Sequence, residues 1–161
     1  LHFTSRILDE IKKKGVNVEY LTLHVTYNTF KPIKCDDYTK HDIGSEYCSI
    51  NEKLMTKIES TKRDKKNIFA VGTTVTRALE NYAAKSIQGN FSGEADLYIT
   101  PGYKFKIING LITNFHLPKS SLLLLVSALA GKDNILNLYN EAIKKNYHFY
   151  SYGDSMFIKA L

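Results

Sequence analysis

A candidate for proton transfer early in the chain is His24, at the end of an apolar segment over residues 16–25. Histidine can donate or accept a proton near neutral pH. Residues 26–49, which follow, are polar, irregular and too long for a plain connection. Strand ends that lead into such loops often carry catalytic groups. A structural histidine that satisfies its own hydrogen bonds is the alternative.

A second histidine, His116, lies in a polar stretch over residues 112–121. Asn114 and His116 alternate on one side of a segment that the pattern predicts to be extended. Pro118 then turns the chain, and a helix is expected to start at Ser120. The polar groups therefore converge on one backbone corner, with chance placement of polar residues as the alternative.

Anion binding is the chemistry indicated by Gly72, Thr73 and Thr74, where a buried strand leads through glycine into a helix. A helix start presents backbone N–H groups without intrahelical partners, and these bind phosphates or carboxylates. Arg77 lies on the first turn. Ordinary hydroxyl capping, with a surface ion pair between Arg77 and Glu80, is the alternative. The stretch lacks the Gly-Lys-Thr of a phosphate loop and the Gly-x-Gly-x-x-Gly of a dinucleotide site.

Near the end of the sequence, Tyr152 and Asp154 are predicted to share one face of a strand. Gly153 between them would let another backbone segment or a ligand approach closely. A tight turn is the alternative interpretation of this stretch.

Other sites are not indicated. The sequence order predicts no metal site and assembles no Ser-His-Asp or Cys-His system. Cys35 and Cys48 form neither a CxxC pair nor a disulfide framework, so we expect two packing residues in a reduced, cytosolic protein.

Five helices are expected to position these candidates, on the evidence of caps and apolar spacing. They are predicted from the cap Thr4 to about residue 14, from the cap Asn51 to residues 62–66, over 75–85, over 120–130, and from Asp133 or Asn134 through 143. We interpret the charged residues 62–66 as a solvated turn, with contact to a nucleic-acid backbone as the alternative.

Strands are predicted where β-branched and aromatic residues concentrate, over residues 16–25, 68–71, 97–99, 104–108 and 147–152. The strands over 97–99 and 104–108 flank Pro101 and Gly102, which have the turn chemistry of a hairpin. No repeat or linker divides the chain, so the pattern indicates one mixed α and β unit.

Size and charge set broad limits. With 161 residues the chain can bury a single core, and its start at Leu1 suggests a piece of a longer protein without a signal peptide. A net charge of +6 permits an anionic partner, although nearly all basic residues are lysine. The longest apolar run, residues 122–130, is far shorter than the roughly 20 residues that cross a bilayer.

Taken together, the chain resembles the S-adenosylmethionine:tRNA ribosyltransferase-isomerases of the queuosine pathway. The runs that carry the resemblance follow the family's order and span the chain: residues 1–4, 22–25, 29–32, 41–46, 70–80, 101–105, 113–120 and 151–156. Two departures are Gly44, where the family pattern has a second histidine, and Asn109, where it has an aspartate.

The resemblance implies transfer of the ribosyl group of S-adenosylmethionine to 7-aminomethyl-7-deazaguanine at the wobble position of tRNA. Isomerisation would give epoxyqueuosine, with release of adenine and methionine. S-adenosylmethionine would then be a consumed substrate, with no true cofactor and no metal. Precursor tRNA and S-adenosylmethionine are the expected partners of a cytoplasmic monomer that does not contact membranes.

The resemblance also implies an α+β fold with a mostly antiparallel, barrel-like β-sheet flanked by helices. Family members are about twice as long. Residues 1–161 would therefore be the carboxy-terminal part of the main catalytic domain, without the amino-terminal half and its inserted small β domain. Activity of an isolated half is not implied.

Such a reaction needs a base to remove a proton beside the sulfonium and an acid to help adenine leave. His24 and His116 are the candidates for both roles. Asp154 or Glu46 is expected to orient that histidine or to hold a ribose hydroxyl.

The expected substrate-binding residues are Phe30, Gly72, Thr73, Thr74, Arg77, Asn114, Ser120 and Tyr152. The helix start with Arg77 would suit the methionine carboxylate or a tRNA phosphate. Phe30 and Tyr152 would face the sulfonium through cation–π attraction. Asn114 could fix the His116 tautomer.

Two other functions remain open on the sequence. A non-catalytic RNA-binding fragment is one, because half of a cleft can bind without turnover. A methyltransferase is the other, although no glycine-rich cofactor loop follows a first strand.

Overall fold

The protein is described by a computed structural model over residues 3–160. The side chains of Asn28 and Phe30 lie outside that description, as do residues 1, 2 and 161. The predicted role of the Phe30 ring, and the first two residues of the motif over residues 1–4, therefore fall outside the described part.

The prediction of five α-helices is confirmed, since the described residues contain α1 (Ser5–Lys13), α2 (Glu52–Arg63), α3 (Thr73–Ala84), α4 (Ser121–Ala130) and α5 (Lys132–Lys144). Two predicted caps are confirmed, because side-chain oxygens of Thr4 and Asn51 accept backbone N–H groups at the starts of α1 and α2. The predicted helix start at Ser120 is confirmed as well, and the Ser120 hydroxyl caps α4. Gly131 ends α4 and also precedes α5, so the predicted cap at Asp133 or Asn134 is wrong.

The six strands found over residues 3–160 form two separate sheets. They are β1 (Thr22–Leu23), β2 (Glu46–Ile50), β3 (Phe69–Val71), β4 (Phe91–Ala95), β5 (Gly110–Asn114) and β6 (Ser155–Lys159). The first sheet, in the order β1-β2-β4, is antiparallel throughout. The second, in the order β3-β5-β6, pairs β3 with β5 in parallel and β5 with β6 antiparallel.

The predicted mixed α and β content is confirmed, whereas the barrel-like sheet is wrong. Within residues 3–160 no barrel closes, because each sheet has only three strands. Two 3₁₀ helices, Tyr27–Phe30 and Tyr38–Lys40, occupy the loop after β1. Contacts of α3 with strands of both sheets make this helix the element that joins them.

Several predicted strands are wrong for identifiable reasons. Residues 16–25 pair with β2 only over β1 and through the His24 amide, which donates to the Tyr47 carbonyl, while the Val16 amide donates back to Ile11 in α1. The hairpin over 97–108 does not form, because the backbone amides of residues 106–108 donate to the Glu80 carboxylate. Residues 147–152 turn, with Gly153 donating to Tyr150, and the closing strand is β6.

The core lies between the sheets and the helices and is mostly aliphatic. Its fully or nearly fully buried members include Ile50, Ala78, Leu111, Val126 and Ile135. Cys48 is buried among them as predicted, while Cys35 is exposed, contrary to its predicted packing role.

No single helix in residues 3–160 has the length and apolar character to cross a bilayer; α4 and α5 meet that test only as a pair bent by 112°.

Candidate functional site

The centre of the candidate site is a buried ion pair between Glu46 and Arg77. Glu46 begins β2 on its buried face, and Arg77 lies one turn into α3. A guanidinium N–H of Arg77 donates to Glu46 Oε2 over 3.2 Å, and Arg77 and Glu46 are only 4% and 1% exposed. Removing two charges from water is costly, so the pair persists only with further hydrogen bonds.

Arg77 makes those additional bonds to main-chain oxygens. Its Nη2 donates to the Gly44 carbonyl over 3.0 Å and to the Ala95 carbonyl over 2.8 Å, which joins α3 to the ends of β2 and β4. Burial lowers the pKa of Arg77, and the charge of Glu46 opposes that effect. The Nε of Arg77 has no hydrogen-bond partner among the described residues.

Glu46 in turn holds the loop that follows His24. Its Oε1 accepts the Thr26 amide over 2.8 Å and also the Thr29 hydroxyl. The Thr29 carbonyl accepts the Ser121 hydroxyl over 3.4 Å at the start of α4. The Glu46 carboxylate therefore ties the post-β1 loop to α3, and Thr29 in that loop links it to the start of α4.

A narrow cleft opens beside this ion pair, with a cavity volume of about 10 Å³. Its walls are Thr29, Ile43, Thr73, Thr74, Arg77, Leu97, Ile99, Ser121, Leu122 and Leu125. That volume holds about one water-sized group. The α3 N-terminus at Gly72 has no side-chain cap, so the predicted hydroxyl cap is wrong. Backbone N–H groups and the helix dipole thus make this end of the cleft electropositive.

His116 lies at a different corner, beyond the end of β5. Its Nε2 is 3.1 Å from the Thr113 hydroxyl, and its backbone N–H donates to the Tyr139 hydroxyl over 2.8 Å. Burial lowers the pKa of His116 to about 4, because the protonated ring would lose its hydration. The imidazole is therefore neutral at pH 7.

Asn114 and Asp154 are brought together as neighbours on β5 and the turn before β6. The Asn114 amide donates to the carbonyls of Gly153 and Asp154, over 3.3 and 3.1 Å. The Asp154 carboxylate accepts the His148 amide over 2.7 Å and lies 3.4 Å from the His148 ring. Asn114 thus fixes this turn; its described side-chain bonds are to main-chain oxygens, not to His116.

The prediction that Gly153 permits close approach of another backbone is confirmed. A Cβ at that position would lie 2.3 Å from the His148 carbonyl oxygen. The alternative of a tight turn is also confirmed, whereas Tyr152 and Asp154 do not lie on a strand.

The remaining predicted residues are more exposed. His24 lies at the surface just past β1, with its amide bonded to Tyr47 and the two rings 5.6 Å apart. Tyr152 is 86% exposed. Ser120 is the exception, because it is buried and caps α4 through Leu123.

The structure therefore forms two groups of candidates. Arg77, Thr73 and Thr74 line the cleft, Glu46 pairs with Arg77 beside it, and His24 is next to the strand that carries Glu46. His116, Asn114 and Asp154 form the other group around β5. The chain over residues 116–121 connects the two, running from His116 to Ser121 in the cleft wall. Within residues 3–160, no cluster of three or more His, Cys, Asp or Glu could hold a metal ion.

Sequence reasoning missed Glu80, a fully buried carboxylate on α3. It accepts three consecutive backbone amides, from residues 106–108, and the Tyr103 hydroxyl. The predicted alternative of a surface pair between Arg77 and Glu80 is wrong, because both are buried with other partners. Only the position of Glu80 near Arg77 in the motif over 70–80 hinted at a role.

A family model described as "Queuosine biosynthesis protein" matches residues 1–158. Proteins named S-adenosylmethionine:tRNA ribosyltransferase-isomerase are similar to the chain: one from Sulfurihydrogenibium sp. (strain YO3AOP1) is 54% identical over 98% of the chain, and one from Geotalea uraniireducens is 52% identical over 98%. The chain spans 46% of the length of each of these relatives.

The fold of the chain is also found in a solved structure. The crystal structure of S-adenosylmethionine tRNA ribosyltransferase from Thermotoga maritima superposes with a TM-score of 0.82 at 38% identity. The match covers 98% of this chain and 50% of that one.

Proposed function

Since the chain belongs to the queuosine biosynthesis protein family, we propose that it supplies part of the active site of an S-adenosylmethionine:tRNA ribosyltransferase-isomerase. The proposed reaction moves the ribosyl group of S-adenosylmethionine onto 7-aminomethyl-7-deazaguanine at the wobble position of tRNA. Isomerisation gives epoxyqueuosine, and adenine and methionine leave. S-adenosylmethionine is consumed as a substrate and is not a cofactor.

The observation that carries the proposal is the electropositive cleft at the α3 N-terminus. The start of α3, which has no side-chain cap, contributes Thr73 and Thr74 to the cleft wall. The buried Arg77, whose Nε lacks a partner among the described residues, lines the same cleft. Arg77 already neutralises Glu46, so the helix end itself provides the uncompensated positive potential. The cavity holds about one water-sized group, so this arrangement suits one oxygen of a carboxylate whose remaining atoms lie at the cleft mouth.

We assign that carboxylate to the methionine part of S-adenosylmethionine. A cavity of about 10 Å³ admits only a small group, so the ribose and adenine would lie outside the cleft mouth. The chain spans less than half the length of the relatives that it matches. The other walls of the nucleoside site are therefore proposed to come from the remainder of the enzyme.

His116 is proposed as the base that takes the proton beside the sulfonium. Burial lowers its pKa to about 4, so the ring is unprotonated at physiological pH, as a base must be before it acts, although the same burial weakens its basicity. His24, exposed beside β2, is left as the proposed acid for adenine departure. Tyr152, also exposed, is proposed to face the sulfonium through cation–π attraction.

The test is tRNA-dependent release of adenine and methionine by the full-length enzyme that contains this chain. His116→Gln is expected to lower kcat by about 100-fold or more, in the range of general base catalysis. Thr113→Val is the matched control, because it removes the hydroxyl beside the ring and keeps the imidazole. Near-normal turnover by His116→Gln would remove His116 from the mechanism.

The carboxylate assignment has its own probe, decarboxylated S-adenosylmethionine. Loss of the carboxylate is expected to raise KM at least tenfold while kcat changes little, because the group binds far from the reacting carbon. An unchanged KM would contradict the assignment to the α3 N-terminus.

Two outcomes would point to other functions. Retention of tRNA by the full-length enzyme without adenine release would support a binding role. Transfer of tritiated methyl groups to tRNA would support a methyltransferase.

A further inference from the structure

A second cavity, on the surface and far larger than the α3 cleft, lies between the end of α2 and residues 105–109. Its volume is about 240 Å³, and four of its nine lining residues are lysines: Lys62, Lys65, Lys66 and Lys106. The other walls are Asn67, Phe105, Ile107, Ile108 and Asn109. We call this the lysine cleft. None of these nine described residues carries a carboxylate.

We propose that the lysine cleft binds the phosphate backbone of the tRNA, away from the reacting base. The inference rests on the proposed function for the identity of the nucleic acid. Lysine ammonium groups act as point charges, whereas sequence-reading contacts favour the planar fork of arginine. A cleft lined by lysines and asparagines therefore suits contact with phosphates of any sequence.

The cleft is a built feature, because buried groups fix its walls. The Glu80 carboxylate accepts the amides of residues 106–108 over 2.7 to 3.1 Å, and so holds the strip that carries Lys106. The Asn109 side chain accepts the Ile68 amide over 2.8 Å. Lys62 Nζ donates to the Lys106 carbonyl over 2.7 Å, which joins the two walls.

The opposite wall follows from how α2 ends. Lys65 adopts a left-handed backbone with φ of 54°, and the Lys66 amide donates back to the Thr61 carbonyl over 2.9 Å. These bonds set both side chains just past the helix end, where they are exposed. The Asp64 carboxylate lies 3.7 Å from Lys66 Nζ and offsets one of the four lysine charges. Positive charge therefore remains in excess at the cleft.

Lysines at a helix C-terminus also stabilise the helix, because their charge interacts favourably with the helix dipole. The experiment must separate that role from RNA binding. The test variant is Lys65→Gln/Lys66→Gln/Lys106→Gln in the full-length enzyme that contains this chain. The matched control is Lys12→Gln/Lys13→Gln/Lys14→Gln, which removes the same charge from the exposed end of another helix, α1.

For the test variant, the Kd of a tRNA transcript is expected to rise at least tenfold in 0.1 M salt. The slope of log Kd against log salt should fall by about one for each phosphate that the variant no longer binds. KM for tRNA should rise, with kcat and KM for S-adenosylmethionine unchanged. The control should bind tRNA within about twofold of the wild type.

Equal weakening by both variants would show a net-charge effect and overturn the proposal. The proposal would also be overturned if the test variant had a lowered Tm but bound tRNA normally. It would be overturned too if that variant lost binding only to phosphatidylserine vesicles and not to tRNA. The proposed function fails separately, if the wild type binds tRNA through this cleft but releases no adenine.

Discussion

Arg77 and Glu46 pair over 3.2 Å in the interior, and this contact joins α3 to β2 beside the candidate cleft. The two residues are 31 positions apart in sequence. Their alignment depends on the Gly44 and Ala95 carbonyls, which accept further N–H groups of Arg77. The ion pair and these two bonds therefore set the position of the cleft wall.

Arg77→Met is expected to destabilise the protein by about 3–5 kcal/mol, because Glu46 is left as a buried charge without its cation. Urea denaturation of the full chain measures the change. Glu46→Gln/Arg77→Met should recover part of the loss, and Arg63→Met at the exposed end of α2 should change stability by less than about 0.5 kcal/mol. A double variant no more stable than the single one would contradict the buried-charge explanation.

His116 is expected to make stability depend on pH. Its pKa is about 4 in the folded protein against 6.5 when free, so the unfolded chain binds the extra proton between these values. Stability is therefore fully present above pH 6.5 and is lost as pH falls towards 4, by up to about 3 kcal/mol. Urea denaturation across this range should show a smaller loss for His116→Gln than for the wild type. Equal losses would mean that the ring is not buried in its neutral form.

Glu80→Gln is expected to cost about 2–3 kcal/mol, because an amide nitrogen would then face backbone N–H groups now bound by carboxylate oxygens. Thermal unfolding measures the change. Glu141→Gln, on the exposed side of α5 and paired with Lys144, is the control and should cost less than about 0.5 kcal/mol. Similar melting temperatures for the two variants would rule out a structural role for Glu80.

Gly153→Ala is expected to destabilise the turn before β6 by about 3 kcal/mol, because the new Cβ would overlap the carbonyl oxygens of His148 and Phe149. Gly15→Ala offers a comparison. There the Cβ meets nothing within 4 Å, and only the φ of +78° opposes it, at about 1 kcal/mol. If Gly153→Ala melts no lower than Gly15→Ala, the close approach is relieved by a backbone shift.

The sequence determined the helices, the caps at Thr4 and Asn51, the helix start at Ser120, and the family, because these depend on short runs of neighbouring residues. A cap needs an oxygen three positions before an amide, which is visible in a linear pattern. The close approach at Gly153 was visible for the same reason, since only glycine lacks a Cβ.

Tertiary structure decided which polar groups meet. The pairing of Glu46 with Arg77 and the capture of residues 106–108 by Glu80 join segments 26 to 31 positions apart. Local propensity carries no information on such contacts. Residues 104–108 have strand-like side chains, yet a buried carboxylate takes the amides of residues 106–108 and leaves none of those three for a ladder. A buried polar group needs a hydrogen-bond partner, and the fold as a whole decides which partner lies within reach.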